Sequence, residues 1–331
     1  MEGLRSAAIN GSGGNLTGFM PADENTIFKV LTGFSCVIML IGIPGNLLVI
    51  ASVIINKELR SAPNFLVLSL SICDLLFVSI PVPVHTYTYS TGHPPAPKTC
   101  WAIGFITNWL LASSVLSTGA IAINRYIAIV LKSKYHQISD QRAVAVICIC
   151  VFLVPFLILS PTLFDDSLGN FGFESWDRNC GWAGNGILRL VIIGVVSIFP
   201  VVFMTLCYIR IVLYVIASRK RVGVIGQATT SRAARNTETR MTLMLAMVYI
   251  VYLVTTLPSL LVNGIAQAGV FVPDWVHVIS FTFVWMSSAA NPVVYGLVNK
   301  KYRDAYKSVA RKINSFTFKR TQSESLDMNT Q

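Results

Sequence analysis

Seven apolar runs, at about 27–55, 62–89, 100–131, 141–164, 187–217, 241–267 and 275–298, constrain this chain more than anything else in it. A helix needs about 20 apolar residues to cross a bilayer core of about 30 Å, and each run is long enough. The composition agrees: of 331 residues 53% are hydrophobic and 12% charged, with a mean hydropathy of +0.62. Soluble domains carry about 25% charged residues. The length would allow two soluble domains, but the apolar runs recur too regularly for that. The expectation is an all-α membrane protein, a seven-transmembrane helix bundle.

The net charge of +11 could suggest nucleic acid, but its distribution points elsewhere. Most of the 26 lysines and arginines fall in segments 56–61, 125–142, 210–240 and 299–331, on one side of a seven-fold crossing. The opposite side holds only Arg5, Lys29, Lys98, Arg178 and Arg189. By the positive-inside rule the N-terminus lies outside and the C-terminus inside. The basicity therefore reads as a topology signal, with no nucleic acid as partner. Residues 1–24 are polar, without the apolar core of a signal peptide, so the first span is expected to serve as its own anchor. Asn10 and Asn15 head glycosylation sequons in the outer tail, residues 1–26.

The third run, from Cys100 to Tyr126, has two distinct ends. As a helix at about 1.5 Å per residue, Cys100 to Arg125 would measure about 37 Å, which sets the cysteine at one interface and the arginine at the other. Of seven cysteines, only Cys100 and Cys180 lie at the outer face, where an oxidising compartment favours a disulfide. That bond would tie the second outer loop over the mouth of the bundle. Within the spans, Asn46 must find a partner at membrane depth. Asp74 needs compensation, since a mid-membrane carboxylate costs about 2.5–3.5 kcal/mol on insertion scales. Ser114 and Asn291 stand at comparable depth, and the three together would suit a Na⁺ ion or an exchangeable proton. No further metal or cofactor is expected.

Past the seventh run, Tyr302, Tyr306, Val309 and Ile313 share one helical face and basic residues the others. This predicts a short amphipathic eighth helix over 299–313, lying on membrane lipid. Residues 314–331 are polar and expected to be disordered, with serines and threonines open to phosphorylation.

Gly45-Asn46, Asp74, Cys100, Asn124-Arg125-Tyr126, Cys180, Pro200 with Tyr208, Pro258 and Asn291-Pro292-Val-Val-Tyr295 follow one another in register. Over about residues 27–313 the chain resembles a rhodopsin-like (class A) G-protein-coupled receptor. Ala-Ile-Asn124-Arg-Tyr126, Val-Pro-Asp-Trp275 and Tyr295-Gly-Leu-Val-Asn299 are similar to the melatonin receptors, a group that also holds the medium-chain fatty-acid receptor and the Trapped-in-endoderm and Moody receptors. The chain departs from the family in several places. Asn124 stands where most relatives have Asp, and Thr255-Thr256-Leu257-Pro258 lacks the span-six tryptophan. Thr107 replaces the counter-ion of amine receptors, and Trp285 the retinal lysine, so no retinal is expected.

The resemblance implies a receptor that binds an extracellular ligand and activates a heterotrimeric G protein of the inhibitory class, with arrestin following tail phosphorylation. It implies a pocket lined by Thr107, Asn108, Leu111, Trp182, Arg189, Ser259, Asn263, His277, Phe281 and Trp285. It also implies that Glu238 holds Arg125 at rest. On activation Arg125, Tyr208 and Tyr295, with Asn291-Pro292 and the flanking Asn124 and Tyr126, would form the coupling switch. A seven-span transporter or channel is the alternative, but the chain shows no internal repeat and one membrane-depth acid. An enzyme is not expected, because the four histidines do not cluster with a nucleophile or metal partner.

Overall fold

In the computed structural model the residues described are 24–132, 135, 140–164, 169–174, 178–183, 194, 198–222 and 230–328. Seven helices among them are long and apolar enough to cross a membrane: Thr26–Ile55, Ala62–Thr91, Pro97–Ile129, Gln141–Leu163, Phe199–Ser218, Arg240–Ala266 and Asp274–Val298, spans one to seven. Span two breaks at Ile80, where Pro81 starts a second helix. Span six is the outer part of a longer helix, Thr230–Gln267.

The bundle is apolar outside and polar within. Leu40, Val254 and Leu297 are 65% or more exposed, while Asn46, Ser71, Thr88 and Ser113 are fully buried. Lipid tails give helices no hydrophobic reason to associate, so packing and interhelical hydrogen bonds hold them together. The largest apolar cluster joins spans one, two, three, four, six and seven with the eighth helix, around Val53, Leu66, Ile121, Leu245 and Tyr295. A second ties spans one, two, three and seven at the opposite end, around Phe77, Leu110 and Trp285.

One contact shows how a proline organises the packing. Pro292 has no N–H, so the carbonyl of Ser288 one turn earlier loses its helical donor. The Asn46 amide from span one donates to that carbonyl at 2.9 Å, and also to Gly42. This is the interhelical bond that an amide at membrane depth needs. Gly45 permits the approach: a Cβ there would lie 3.0 Å from Pro292.

Between spans four and five, β1 (Asn170–Glu174) and β2 (Asn179–Ala183) pair as an antiparallel hairpin. Cys100 and Cys180 are joined by a disulfide that fixes β2 to the start of span three. The hairpin lies so close to span three that a Cβ on Gly104 would sit 3.0 Å from Phe171. Two further contacts reach the other side of the bundle: Tyr89 of span two donates to Asn179 at 3.2 Å, and Arg178 stacks 3.7 Å over the Phe28 ring of span one.

After Asn299 a helix runs from Lys300 to Met328. The expected amphipathic helix over 299–313 is its first half; the expectation of disorder from 314 onward does not match the continued helix. Residues 314–328 contain no glycine or proline, so nothing in them breaks a helix already nucleated upstream. In the first half Tyr302 donates to Asn64 of span two and Tyr306 to the Pro292 carbonyl, both at 3.0 Å. Burial pushes both phenols above their ordinary range, so they remain protonated donors at any physiological pH.

Candidate functional site: a buried cavity and an arginine end

A cavity of about 160 Å³ lies within spans two, three, six and seven. Asn108, Leu111 and Ser114 line it from span three, Tyr252, Thr256 and Ser259 from span six, and Phe281 and Ser288 from span seven. Asp74 of span two lies at one end. The carboxylate is buried and accepts a hydrogen bond from the Asn291 amide at 2.7 Å. Of the Asp74, Ser114 and Asn291 group expected from the sequence, Asp74 and Asn291 are hydrogen-bonded, and Asp74 and Ser114 line one cavity with Asn108, Leu111, Ser259 and Phe281 from the expected ligand pocket.

The other expected pocket residues stand elsewhere. Thr107 turns to span two, where its hydroxyl lies 3.4 Å from His85 Nε2. The His85 ring stacks on Trp285, which also stacks on Tyr89, each at 5.6 Å. Thr107 and Trp285 therefore belong to an aromatic box between spans two, three and seven, not to the cavity wall. Phe281 packs edge-on against Trp285 at 5.9 Å and joins the box to the cavity. His277 is buried one helical turn before Phe281, and its carbonyl accepts from Ser280. Asn263 donates to the Ser259 carbonyl and hydroxyl. Trp182 turns away: alternate residues of a strand share a face, so Cys180 and Trp182 both point at span three. There Trp182 packs with Phe105, Leu159 and Phe171. Arg189 lies outside the described residues.

Span six carries a feature that the sequence reading passed over. Tyr252 lines the cavity; Tyr249 stacks beneath it at 6.5 Å, and Tyr208 of span five stacks on Tyr249 at 4.9 Å. The phenols bond across the seam in both directions. Tyr249 donates to the Val201 carbonyl at 3.0 Å and lies 2.6 Å from the Thr205 hydroxyl; Tyr208 donates to the Leu245 carbonyl at 3.1 Å. The same cluster includes Tyr126, beside Arg125. Two phenols one turn apart in an apolar span were the available signal, since each needs a partner at membrane depth.

At the far end of span three Arg125 is buried and donates to the Asn124 side-chain oxygen at 2.7 Å. Asn124 is thus a partner of the arginine, a role its uncharged side chain did not advertise. Tyr295 of span seven is fully buried and packs on Tyr302 at 5.3 Å. The Glu238 side chain, expected to hold Arg125, lies outside the described residues, as do Asn10 and Asn15. A Trp109 bond to the Phe152 carbonyl, at 2.9 Å, joins spans three and four.

The model of the rhodopsin family of seven-transmembrane receptors matches residues 45–295. The chain is 30% identical over 265 residues to melatonin receptor type 1B-A of Danio rerio, covering 77% of this chain and 89% of that one. It is 27% identical over 274 residues to melatonin receptor type 1B of Mus musculus (80% and 73%) and over 279 residues to type 1C of Xenopus laevis (82% and 65%). It thus spans just under two thirds of the Xenopus receptor's length. Among solved structures, squid rhodopsin superposes with a TM-score of 0.76 at 21% identity, covering 88% of this chain and 82% of that one. This last likeness is one of fold.

Proposed function

This chain belongs to the rhodopsin family of seven-transmembrane receptors, and from that premise we propose that it receives a small extracellular ligand at the disulfide end and passes the signal to a heterotrimeric G protein at the arginine end. The family makes it a G-protein-coupled receptor of the plasma membrane, and its relatives are receptors rather than enzymes. The observation that carries the rest is the run of buried groups from the cavity through Tyr252, Tyr249 and Tyr208 toward Arg125.

In this reading the N-terminus is extracellular, which the charge distribution supports, and Asn10 and Asn15 carry glycans. Ligand in the cavity favours a second packing in which span six swings about Pro258. The tyrosine bonds between spans five and six then rearrange, and Arg125, Tyr208 and Tyr295, with Asn291 and Pro292 beside them, line the groove that takes the C-terminal helix of Gα. A ligand shifts this equilibrium only by its differential affinity for the two packings. Glu238 restrains Arg125 at rest, the G protein is of the inhibitory class, and arrestin binds after phosphorylation of the tail. Asp74, Ser114 and Asn291 hold Na⁺ or a proton. Melatonin is the ligand in the relatives' names. In this chain the cavity offers hydroxyls and amides in an apolar wall, which suits small neutral indoles and lipids alike. A G-protein activation assay against indoles, lipids and peptides tests the proposal. Activation by a member of the panel, lost in Arg125→Ala, is expected; activation that survives the substitution would overturn the coupling role.

A further inference from the structure

Beside the tyrosine seam lies a second space, a groove of about 320 Å³ that the cavity within the bundle does not include. Span five lines it between Thr205 and Leu213, and span six between Ala246 and Ile250. Ala246 is the smallest residue of its wall, set among larger ones. The three hydroxyls in the wall are all engaged within the protein. Thr205 bonds the Val201 carbonyl and Tyr249, Tyr249 also bonds Val201, and Tyr208 bonds the Leu245 carbonyl. The wall therefore offers an occupant apolar surface and no free hydroxyl. Ile209, Val212, Leu213 and Ile250 are 48–57% exposed, so the groove opens on the face that both spans turn to lipid.

Its depth follows from helix geometry. At about 1.5 Å per residue, Leu213 stands about 8 Å and Thr205 about 20 Å from Ser218, where span five ends. Arg219, Lys220 and Arg221 follow Ser218, on the basic side that Arg125 shares. In a hydrocarbon core about 30 Å thick, the groove lies in the leaflet on the arginine side and reaches the midplane. No water is present there to fill it. Helices in lipid hold together by close packing, and a gap between two of them forfeits those contacts. At about 30 Å³ for a group the size of water, the groove takes about ten such groups along about 12 Å. That is a methylene chain in single file.

We propose that this groove binds one unbranched acyl chain of a phospholipid in the arginine-side leaflet, and that the bound chain restrains the receptor. The site is formed in the packing whose tyrosine bonds are closed, and a ligand favours the packing that holds its site. The restraint rests on the receptor reading, in which the seam rearranges as span six swings; the binding site does not.

The test uses the full chain in nanodiscs of phosphatidylcholine carrying a diazirine midway along one acyl chain. Leu153 and Val146 of span four, 47% and 57% exposed, serve as matched lipid-facing controls. Photo-adducts on Ile209, Leu213 and Ile250 should exceed those on the controls about tenfold, the ratio that 1.4 kcal/mol of preference over bulk lipid gives. Ala246→Phe fills the groove and should bring the ratio to one; Ala246→Leu serves if the larger side chain does not fold. Equal labelling in the native chain overturns the site, and so does labelling that the filled variants retain. Displacement of the adducts by cholesterol or by palmitate names a different occupant and overturns the phospholipid assignment. For the restraint, lipids with methyl-branched chains and the same headgroup should raise ligand-free G-protein turnover about threefold, the scale of one interhelical hydrogen bond in a membrane. The filled variants should lose that dependence. Native turnover equal in the two lipids, or an equal rise in the filled variants, overturns the restraint. Turnover absent in every lipid sinks the receptor reading and the restraint with it, while the labelling ratio still decides the site.

Discussion

Asn124 illustrates how one side chain changes the chemistry of its neighbour. Its oxygen accepts from Arg125 at 2.7 Å, inside the bundle and away from water. The guanidinium already makes this bond charge-assisted, and a carboxylate at that position would add the attraction of a full opposite charge and a second oxygen. Asn124→Asp therefore should tighten the resting state by about 1 kcal/mol and lower ligand-free G-protein turnover about fivefold. A rise in basal turnover would show that the Asn124 bond does not restrain the arginine. Glu238→Ala is expected to act in the opposite sense, raising basal turnover by removing the second restraint. Unchanged turnover in that variant would dismiss Glu238 as a latch. The two substitutions bear on the same guanidinium, so their effects should not add.

At the scale of elements, the seam between spans five and six is built differently from its neighbours. Tyrosine rings bridge it, and each helix sends a phenol to a carbonyl of the other. Interhelical hydrogen bonds in membrane proteins average about 0.6 kcal/mol and reach about 1.7. Tyr249→Phe removes two such contacts while keeping the ring stack. We expect it to lower stability by about 1 kcal/mol and ease the outward swing of span six; an unaltered Tm together with unaltered basal turnover would contradict that. The hairpin over the mouth is a second distinct element, closed by a disulfide between residues 80 apart in the chain. Replacing Cys100 and Cys180 together with alanine should cost about 2–4 kcal/mol, read as a lower Tm in nanodiscs. An unchanged Tm would mean that Tyr89, Arg178 and the Gly104 contact hold the hairpin without it.

For the whole molecule, length and hydropathy made the seven crossings legible, because lipid imposes a minimum span and forbids charge within it. The disulfide was legible for the same reason: only Cys100, at the start of the third run, and Cys180, in the loop after the fourth, lie at the sparsely charged face. The Asp74 and Asn291 contact followed from the need of a buried carboxylate for a donor. The directions of side chains around the cavity were not legible. Trp182 follows Cys180 closely, yet strand alternation turns both toward span three. Thr107 was read as facing ligand, but His85 of span two takes it up. Such outcomes depend on helix rotation and on which neighbour completes a hydrogen bond, and one sequence carries neither. The tail marks another limit: its polar composition suggested disorder, whereas propensity without breakers continues the helix to Met328.

The central claim is that events in the cavity reach a G protein through Arg125. The most direct measurement is nucleotide exchange on a purified heterotrimeric G protein by the full chain in nanodiscs, comparing the native sequence with Arg125→Ala. Native receptor should accelerate exchange over empty discs, and further with an activating ligand from the panel. Arg125→Ala, folded to the same Tm, should fall to the empty-disc rate. Equal exchange by the two proteins would contradict the account.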